Sequence, residues 1–248
     1  MKVLGVIPAR FASSRFPGKP LVDLAGKTMV QRVYEQASKA SGLDDVCVAT
    51  DDERIFAHVQ GFGGKVLMTS GQHPSGTDRV IEVAEKLPRY DAYINIQGDE
   101  PYINPIQIDQ VCELLASRKG AFVATLVKRM GDVGELHNAN TVKVVFARNG
   151  QAIYFSRSPI PYLRDARMLD DWMQECGYFK HIGIYGYSRY ALSAIKAMHR
   201  GVLEKAESLE QLRWLEHGLP VYVTETNFES QSVDTPEDLI KVQKGMEG

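Results

Sequence analysis

Short apolar runs rich in β-branched residues alternate with amphipathic stretches along the chain. The apolar runs predict strands at residues 3–7, 46–50, 92–96, 122–127, 142–147, 182–187 and 221–224. Apolar residues spaced three or four apart predict helices at residues 29–40, 53–59, 78–87 and 106–116. Continuous apolar strands that alternate with helices indicate a mostly parallel sheet covered on both faces. We therefore expect an α/β, Rossmann-like fold.

The length and composition are sufficient for a substantial hydrophobic core. The chain has 248 residues, of which 44% are hydrophobic. Because α/β domains often reach about 250 residues, we expect a single domain over residues 1–248. The stretch at about 130–188 is rich in strands and turns. We expect it to form a small inserted or appended sheet within that domain.

Charge and cysteine content exclude several classes of protein. Lys and Arg number 29 against 31 Asp and Glu, so bulk electrostatics do not favour binding to nucleic acid. The three cysteines are too far apart for a disulfide framework or a thiolate metal site. The first apolar run breaks at Pro8, and no run approaches the roughly 20 residues of a membrane span. We expect a reduced, cytoplasmic protein that binds neither nucleic acid nor a membrane.

The loop after the first predicted strand has the composition of a polyanion site. It carries Arg10, Arg15 and Lys19, two serines and Gly18, with no carboxylate before Asp23. Backbone amides and hydroxyls can surround phosphate oxygens while the cations neutralise them. The loop lacks both G-x-G-x-x-G and G-x-x-x-x-G-K-[ST], which disfavours a dinucleotide oxidoreductase and a Walker-type nucleotide site. A solvated basic loop remains the alternative interpretation.

Two acidic segments are candidates for a divalent cation site. Asp99 and Glu100 follow a predicted buried strand, and Asp234 precedes the helix-start sequence Thr235-Pro236. Magnesium takes oxygen ligands and commonly uses one or two protein carboxylates, with water and substrate phosphates completing its shell. Taken alone, the same residues also fit ordinary turn and helix-cap chemistry.

Other polar segments have a structural explanation as well as a functional one. They span residues 73–79, 154–161, 181–187 and 208–215. Either Ser75 or Thr77 can cap the helix that follows, and Ser208 with Gln211 fits a capping box. A histidine in a strand, such as His181, is more often a core or interface residue than a catalytic one.

Taken together, these segments resemble a known family. Ile-Pro-Ala-Arg followed by Ser-x-Arg-x-Pro-Gly-Lys-Pro-Leu is similar to the signature loop of sugar-activating nucleotidyltransferases, most closely the 3-deoxy-manno-octulosonate cytidylyltransferases. Gln-Gly-Asp-Glu-Pro and Val-Asp-Thr-Pro-Glu-Asp-Leu also resemble that family's motifs, in the same chain order. The resemblance implies a nucleotidyltransferase fold, CTP as substrate, Mg²⁺ as cofactor and a homodimer whose interface is the strand-rich middle segment.

The resemblance also implies roles for individual residues. The implied catalytic residues are Lys19, Arg15, Asp99 and Asp234, of which Asp99 and Asp234 are the metal ligands. The implied nucleotide-binding residues are Pro8, Ala9, Arg10, Ser13, Gly18, Lys19, His73, Ser75, Gly76, Thr77 and Gln97. The implied sugar-binding residues are Arg157, His181, Tyr185, Glu210 and Gln211. The chain departs from the family at Asp78, where Glu is more usual.

The expected reaction is transfer of CMP from CTP to 3-deoxy-D-manno-octulosonate, or to its 8-amino analogue, with release of pyrophosphate. The resemblance places this step in lipopolysaccharide biosynthesis. Two alternatives remain: a transferase of the same architecture that makes CMP-sialic acid or a CDP-linked alcohol, and a nucleotide-binding module without turnover. The second alternative leaves the carboxylate of Asp234 without a role.

Overall fold

A computed structural model describes residues 1–12, 16–120, 122–165, 172–173 and 175–244. Ser13 and Arg15 lie outside the described residues. The chain divides into two compact units, the first comprising Met1–Glu113 with Glu229–Gly248 and the second Leu114–Phe228. The stretch expected to form a small sheet, at about 130–188, lies within the second unit, which is larger than that stretch.

The structure contains the expected alternation of strands and helices. The strands are β1 (Val3–Ala9), β2 (Asp23–Leu24), β3 (Lys27–Thr28), β4 (Asp45–Thr50), β5 (Val66–Met68), β6 (Ala92–Asn95), β7 (Val123–Arg129), β8 (Lys143–Phe146), β9 (Ala152–Ser156), β10 (Phe179–Ser188) and β11 (Val221–Glu225). The α-helices are α1 (Met29–Ala37), α2 (Glu53–Gly61), α3 (Gly76–Lys86), α4 (Pro105–Ala116), α5 (Val133–His137), α6 (Arg189–Lys196), α7 (Val202–Glu207), α8 (Glu210–Glu216) and α9 (Pro236–Lys244). A short 3₁₀ helix spans Lys19–Leu21.

The first unit is built on a parallel sheet. Strand β1 pairs in parallel with β4 on one side and β6 on the other, and β4 pairs in parallel with β5. Residues of β1 and β4 are almost entirely buried, as expected for strands covered on both faces. The predicted parallel arrangement is confirmed here, and the carboxyl ends of these strands meet at one edge of the sheet.

The second unit has mixed strand pairing. Strand β7 pairs antiparallel with β10 and parallel with β11, while β8 pairs antiparallel with β9 and β10. The register between β7 and β10 shifts between Ile182 and Tyr185. A small core of Met130, Leu136, Trp172 and Tyr178 packs beside this sheet. The strands β8, β9 and β10 lie within or overlap the stretch at about 130–188, and they pair with one another and with β7 in the antiparallel sense.

Helix starts agree with the sequence in two places and differ in a third. The Ser75 side chain caps α3 by accepting from the Asp78 amide, and the Thr235 hydroxyl accepts from the Asp238 amide at the start of α9. The capping box predicted at Ser208 is wrong. Ser208 has a left-handed φ of 52° and ends α7, whereas the extended residue before α8 is Leu209. An N-cap needs extended backbone, which Ser208 lacks because it is the left-handed C-cap of α7, and Leu209 takes the N-cap position of α8 instead.

The three cysteines carry free thiols, as the spacing predicted, and Cys47 and Cys112 are buried. Burial raises the pKa of both thiols to about 12, so neither forms a thiolate near neutral pH. Within the described residues, no helix has the length and apolar character needed to cross a membrane.

Candidate active site

The predicted phosphate loop turns back on itself at Gly18. The Gly18 amide donates to the Phe11 carbonyl at 2.9 Å, and the Gly18 φ of 74° lies in the left-handed region. A Cβ atom at this position would lie 3.2 Å from the Phe11 ring, whose face is covered by the Arg54 guanidinium. The 3₁₀ helix begins directly after this turn. The turn thus fixes the position from which the Lys19 side chain extends.

Lys19 lies between the two carboxylates that the sequence singled out. Its Nζ atom is 2.7 Å from Asp99 Oδ2 and 3.3 Å from Asp234 Oδ1. The side chain is 14% exposed, so its charge is only partly solvated. Residues that are 80 and 215 positions from Lys19 in the chain therefore meet at one ammonium group.

Backbone contacts account for the meeting of Asp99 and Asp234. The amide of Val233 donates to the Asp99 carbonyl at 2.9 Å, which ties the segment before α9 to the turn after β6. Val233 is completely buried in a cluster with Leu24, Met29 and Val242. Asp234, the next residue, is therefore anchored beside Asp99 by both a hydrogen bond and apolar packing.

The Asp99 and Asp234 pair fits the requirements of Mg²⁺. Two carboxylates already converge on one cationic group, and oxygen ligands are those that Mg²⁺ prefers. Among the described residues, no group of three or more His, Cys, Asp or Glu side chains is arranged to hold a metal. A pair of carboxylates such as Asp99 and Asp234 is the number that Mg²⁺ commonly takes from a protein, with water and substrate phosphates completing its shell. The ligand roles stay a prediction.

Several predicted nucleotide-binding residues lie together at the end of β1. A Cβ atom at Gly98 would lie 2.7 Å from the Pro8 carbonyl oxygen, and one at Gly76 would lie 3.7 Å from Pro8 Cγ. Gly98 is therefore required for the close approach of the two strand ends. Arg10 Nη2 donates to the Ser75 carbonyl at 3.0 Å, which joins the phosphate loop to the start of α3.

The segment at the start of α3 uses its hydroxyl in capping. Ser75 Oγ donates to Asp78 Oδ2 at 2.6 Å and accepts from the Asp78 amide at 3.2 Å. The Asp78 side chain, although shorter than the Glu that is more usual at this position, thus reaches the hydroxyl of the cap residue Ser75. Thr77 is buried at 2% exposure, so its side chain is part of the core. Gln97, a further predicted nucleotide contact, is partly buried beside Gly98 in the sequence.

His73, another predicted nucleotide contact, is paired with a residue that the sequence did not single out. Its Nε2 atom is hydrogen-bonded to Glu82 Oε2 on α3. Nothing in the sequence links residues nine positions apart across a loop and a helix, which is why Glu82 was missed.

In the second unit, the predicted sugar contacts His181 and Tyr185 lie in an aromatic cluster. The His181 ring is 5.3 Å from the Phe155 ring and 5.1 Å from the Tyr185 ring, and Tyr185 also packs edge-on against Trp214. Desolvation lowers the pKa of His181 to about 3 and raises that of Tyr185 well above its usual value. Both side chains are therefore neutral at physiological pH.

A hydrogen bond fixes the tautomer of His181. Thr125 Oγ1 directs its proton toward two backbone carbonyls, 2.7 Å away at Ile184 and 3.2 Å away at Ile182, and His181 Nε2 lies 2.9 Å from Thr125 Oγ1. Because a hydroxyl has a single proton, His181 Nε2 must be the donor in its pair, which leaves Nδ1 as an acceptor. The sequence analysis did not single out Thr125. Its one visible signal is a hydroxyl residue inside the otherwise apolar run Val-Ala-Thr-Leu-Val.

Arg157 is held by backbone carbonyls. Its guanidinium donates to the carbonyls of Glu207 at 2.7 Å, Ala139 at 2.9 Å and Ser208 at 3.5 Å. The Glu207 carboxylate in turn accepts from the Arg157 amide and the Ser156 hydroxyl. Three of the five guanidinium N–H groups are thus engaged in fixing local structure, and the remaining two are those that a sugar carboxylate could use.

The last predicted sugar contacts lie at the start of α8. Glu210 Oε1 accepts from Arg213 Nη2 at 3.3 Å, and Arg213 forms a second, bidentate pair with the buried Glu204 at 2.7 and 2.9 Å. Gln211 is buried at 4% exposure. The structure therefore places Glu210 in an ion-pair network and Gln211 in the core of its unit.

Several known proteins are similar to this chain over almost its full length. A family described as cytidylyltransferase matches residues 4–227. The chain is 49% identical to the 3-deoxy-manno-octulosonate cytidylyltransferase of Cytophaga hutchinsonii, with 98% of this chain and 96% of that protein covered. It is 51% identical to the enzyme of the same name from Parabacteroides distasonis, with 97% and 96% covered.

Among solved structures, the fold matches that of CMP:2-keto-3-deoxy-manno-octonic acid synthetase complexed with CTP. The TM-score is 0.92 at 44% identity, with 100% of this chain and 99% of that chain covered. Sequence identity near one half over almost the full length, together with the same fold, shows that the chain belongs to the 3-deoxy-manno-octulosonate cytidylyltransferase family.

Proposed function

We propose that the protein transfers CMP from CTP to the anomeric hydroxyl of 3-deoxy-D-manno-octulosonate and releases pyrophosphate. The single observation that carries the proposal is the convergence of Asp99 and Asp234 on Lys19 beside the phosphate loop. Relatives that match nearly the full chain are named for this reaction. A structural relative was solved in complex with CTP.

The chemistry requires positioning and charge neutralisation more than covalent participation by the protein. The sugar hydroxyl loses its proton to solvent and attacks the α-phosphorus of CTP. A new oxygen–phosphorus bond forms, and the bond between the α-phosphorus and the bridging oxygen to the β-phosphate breaks as pyrophosphate leaves. Lys19, only partly solvated, stabilises the charge that develops on the leaving group. Arg10 and the backbone at Gly18 hold the triphosphate, and Arg15 adds a further positive charge from the same loop.

We propose that Asp99 and Asp234 hold Mg²⁺ during this reaction. When bound, the ion would neutralise triphosphate charge and lower the pKa of the sugar hydroxyl. Support comes from two carboxylates already paired with a cation and from the match of this donor set to magnesium. Removal of divalent cations with EDTA should abolish pyrophosphate release, and added Mg²⁺ should restore it. Full activity in EDTA would contradict the cofactor proposal.

We assign binding of the sugar acid to polar residues of the second unit. The Nδ1 acceptor of the neutral His181 ring suits a sugar hydroxyl, and the two N–H groups of Arg157 that are not bonded to backbone carbonyls of the described residues suit the carboxylate. Tyr185, Glu210 and Gln211 are assigned as secondary contacts because aromatic packing, an ion pair or burial restricts each of them.

The substrate assignment is tested by a pyrophosphate-release assay with three nucleotides and three acceptors. CTP, UTP and ATP are each combined with 3-deoxy-D-manno-octulosonate, its 8-amino analogue and sialic acid. The proposal predicts turnover with CTP and an octulosonate, and little with ATP. Turnover only with sialic acid would indicate that the protein makes CMP-sialic acid instead. Tight CTP binding without release of pyrophosphate would indicate a non-catalytic nucleotide-binding module.

We further propose a cytoplasmic homodimer that serves lipopolysaccharide biosynthesis. The pathway follows from the names of the relatives. The free, buried thiols fit a reducing compartment.

A further inference from the structure

One carboxylate, that of Glu82, connects several parts of the loop before α3. Its Oε2 atom accepts from the Ser70 amide at 2.8 Å and is also hydrogen-bonded to His73 Nε2. Its Oε1 atom pairs with Lys86 Nζ at 2.7 Å. The Glu82 side chain is 18% exposed, so these contacts are only partly screened by solvent. Glu82 therefore ties both ends of the 70–73 turn to the body of α3.

The protonation state of Glu82 decides which nitrogen of His73 carries the proton. Burial raises the pKa of Glu82, but hydrogen bonds from Lys86, His73 and Ser70 outweigh it and lower the pKa to about 2. The carboxylate is therefore ionised near neutral pH and can only accept. His73 Nε2 therefore carries the proton of this pair, and a ring that holds only this one proton has Nδ1 as an acceptor. Within the described part of the chain, no hydrogen bond engages Nδ1.

An acceptor at this position can distinguish the two pyrimidines. Cytosine carries an exocyclic amino group that donates, whereas uracil carries a carbonyl oxygen that accepts at the same position. An acceptor nitrogen can form a hydrogen bond with the amino group of cytosine. It cannot form one with the carbonyl oxygen of uracil, because both atoms are acceptors. A site built for a donor rejects an analogue that lacks it, because its own polar group is then left unpaired.

We propose that Glu82 is a positioning residue for the nucleobase, holding His73 in the tautomer whose Nδ1 accepts from the amino group of cytosine. The inference rests on the proposed function, in which the nucleotide is CTP, and on the family resemblance, which implies that His73 binds that nucleotide. Glu82 would thus help the site to select cytosine over uracil without contacting the nucleotide itself.

Steady-state kinetics with CTP and with UTP test this role. Glu82→Ala should raise the KM for CTP and lower the preference for CTP over UTP about tenfold or more, the scale of one lost hydrogen bond of about 1.4 kcal/mol. The kcat with CTP should change less than about threefold, because the reacting groups are untouched. Glu82→Gln should retain most of the preference, since its amide oxygen still accepts from both Ser70 and His73.

Two further variants separate this role from a general loss of charge or structure. Glu85→Ala removes an exposed carboxylate from the same helix and should keep the wild-type preference. His73→Ala should lose the preference to the same extent as Glu82→Ala, and the double variant should lose no more, because both act through one contact. If the losses of CTP preference in the two single variants add up in the double variant, the proposal is contradicted.

The tautomer can be measured directly in the wild-type protein. Nitrogen-15 NMR of the His73 ring should show protonation at Nε2, and protonation at Nδ1 would overturn the inference even if Glu82→Ala does not fold. An unchanged CTP preference in a folded Glu82→Ala protein would also overturn it. Wild-type protein without turnover on CTP would instead contradict the proposed function, so the two failures are distinguishable.

Discussion

Lys19 shows how a single side chain can organise a site. An ammonium group between two carboxylates offsets their mutual repulsion, which would otherwise push Asp99 and Asp234 apart. The same group is available to phosphate oxygens when CTP binds. The ion pairs are partly exposed, so we regard them as a means of positioning rather than a large source of stability.

His181 gives a prediction about pH and stability. Its folded pKa of about 3 lies below the usual value near 6.5, so the unfolded chain binds an extra proton between these values. Stability from this residue is present above pH 6.5 and is lost as the pH falls. Thermal unfolding should be measured at pH 7.5 and at pH 5. Over this fall in pH, the free energy of unfolding should decrease by up to about 2 kcal/mol more in wild type than in His181→Gln.

The comparison of wild type with His181→Gln is needed because Glu100 acts in the opposite direction. Desolvation and the neighbouring Asp99 raise the pKa of Glu100 to about 7, so this residue contributes stability as the pH falls. Glu100 is present in both proteins, and its contribution cancels in the difference. Identical pH dependence in the two proteins would show that His181 titrates normally.

Contacts between individual side chains were the features least predictable from the sequence. Motifs singled out Lys19, Asp99 and Asp234 but could not reveal Glu82, which pairs across a loop, or Glu207, which pairs 50 positions away. The roles of the motif residues came from family resemblance, because composition alone left a solvated basic loop and ordinary caps as alternatives.

At the scale of elements, the turn at Gly18 gives a second prediction. Gly18→Ala forces a left-handed φ onto a residue with a Cβ atom, at a cost of about 1 kcal/mol, and crowds the Phe11 ring. The shift should misplace Lys19 and raise the KM for CTP about tenfold or more.

Gly26→Ala is the matched control for Gly18→Ala. Gly26 also has a left-handed φ, of 81°, but no atom lies within 4 Å of a Cβ built there. Both variants should lose thermal stability, Gly18→Ala somewhat more because of the Phe11 ring, and Gly18→Ala alone should lose affinity for CTP. Equal KM values for the two variants would show that the Gly18 turn does not position the phosphate site.

Strands and helices of the first unit were predictable because their apolar periodicity is regular. The runs at 3–7, 46–50 and 92–96 became β1, β4 and β6, with small differences at the ends. Strand β9 was not predicted, because Tyr154, Ser156 and neighbouring polar residues obscured its alternation. The capping box at Ser208 failed because sequence spacing does not reveal that two helices are joined without an extended residue at that position.

At the scale of the molecule, the α/β class followed from the sequence, but the division into two units did not. The second unit joins β7, β10 and β11, which are separated by long stretches of chain. Local periodicity contains no information about such pairings. The meeting of Asp99 with Asp234 is equally non-local, and its prediction depended on family motifs.

The expected homodimer gives a prediction at this scale. Ile153 on β9 and Tyr162 are large hydrophobic residues that are 63% and 76% exposed in the single chain. Light scattering coupled to size-exclusion chromatography should give twice the mass of the 27.7 kDa chain. Ile153→Lys should shift the mass toward the monomer, whereas Val202→Lys, at an exposed residue outside the expected interface, should not. A wild-type monomer at micromolar concentration would contradict the expectation.

The most direct test of the account is the rate of pyrophosphate release by Asp99→Asn and Asp234→Asn with CTP, octulosonate and saturating Mg²⁺. Each variant should lose about two orders of magnitude or more in turnover, the scale of one preorganised electrostatic contact. Glu237→Gln, an exposed acid three residues beyond Asp234, should keep the wild-type rate. Near-normal rates in both aspartate variants would contradict the claim that these two carboxylates form the catalytic cation site.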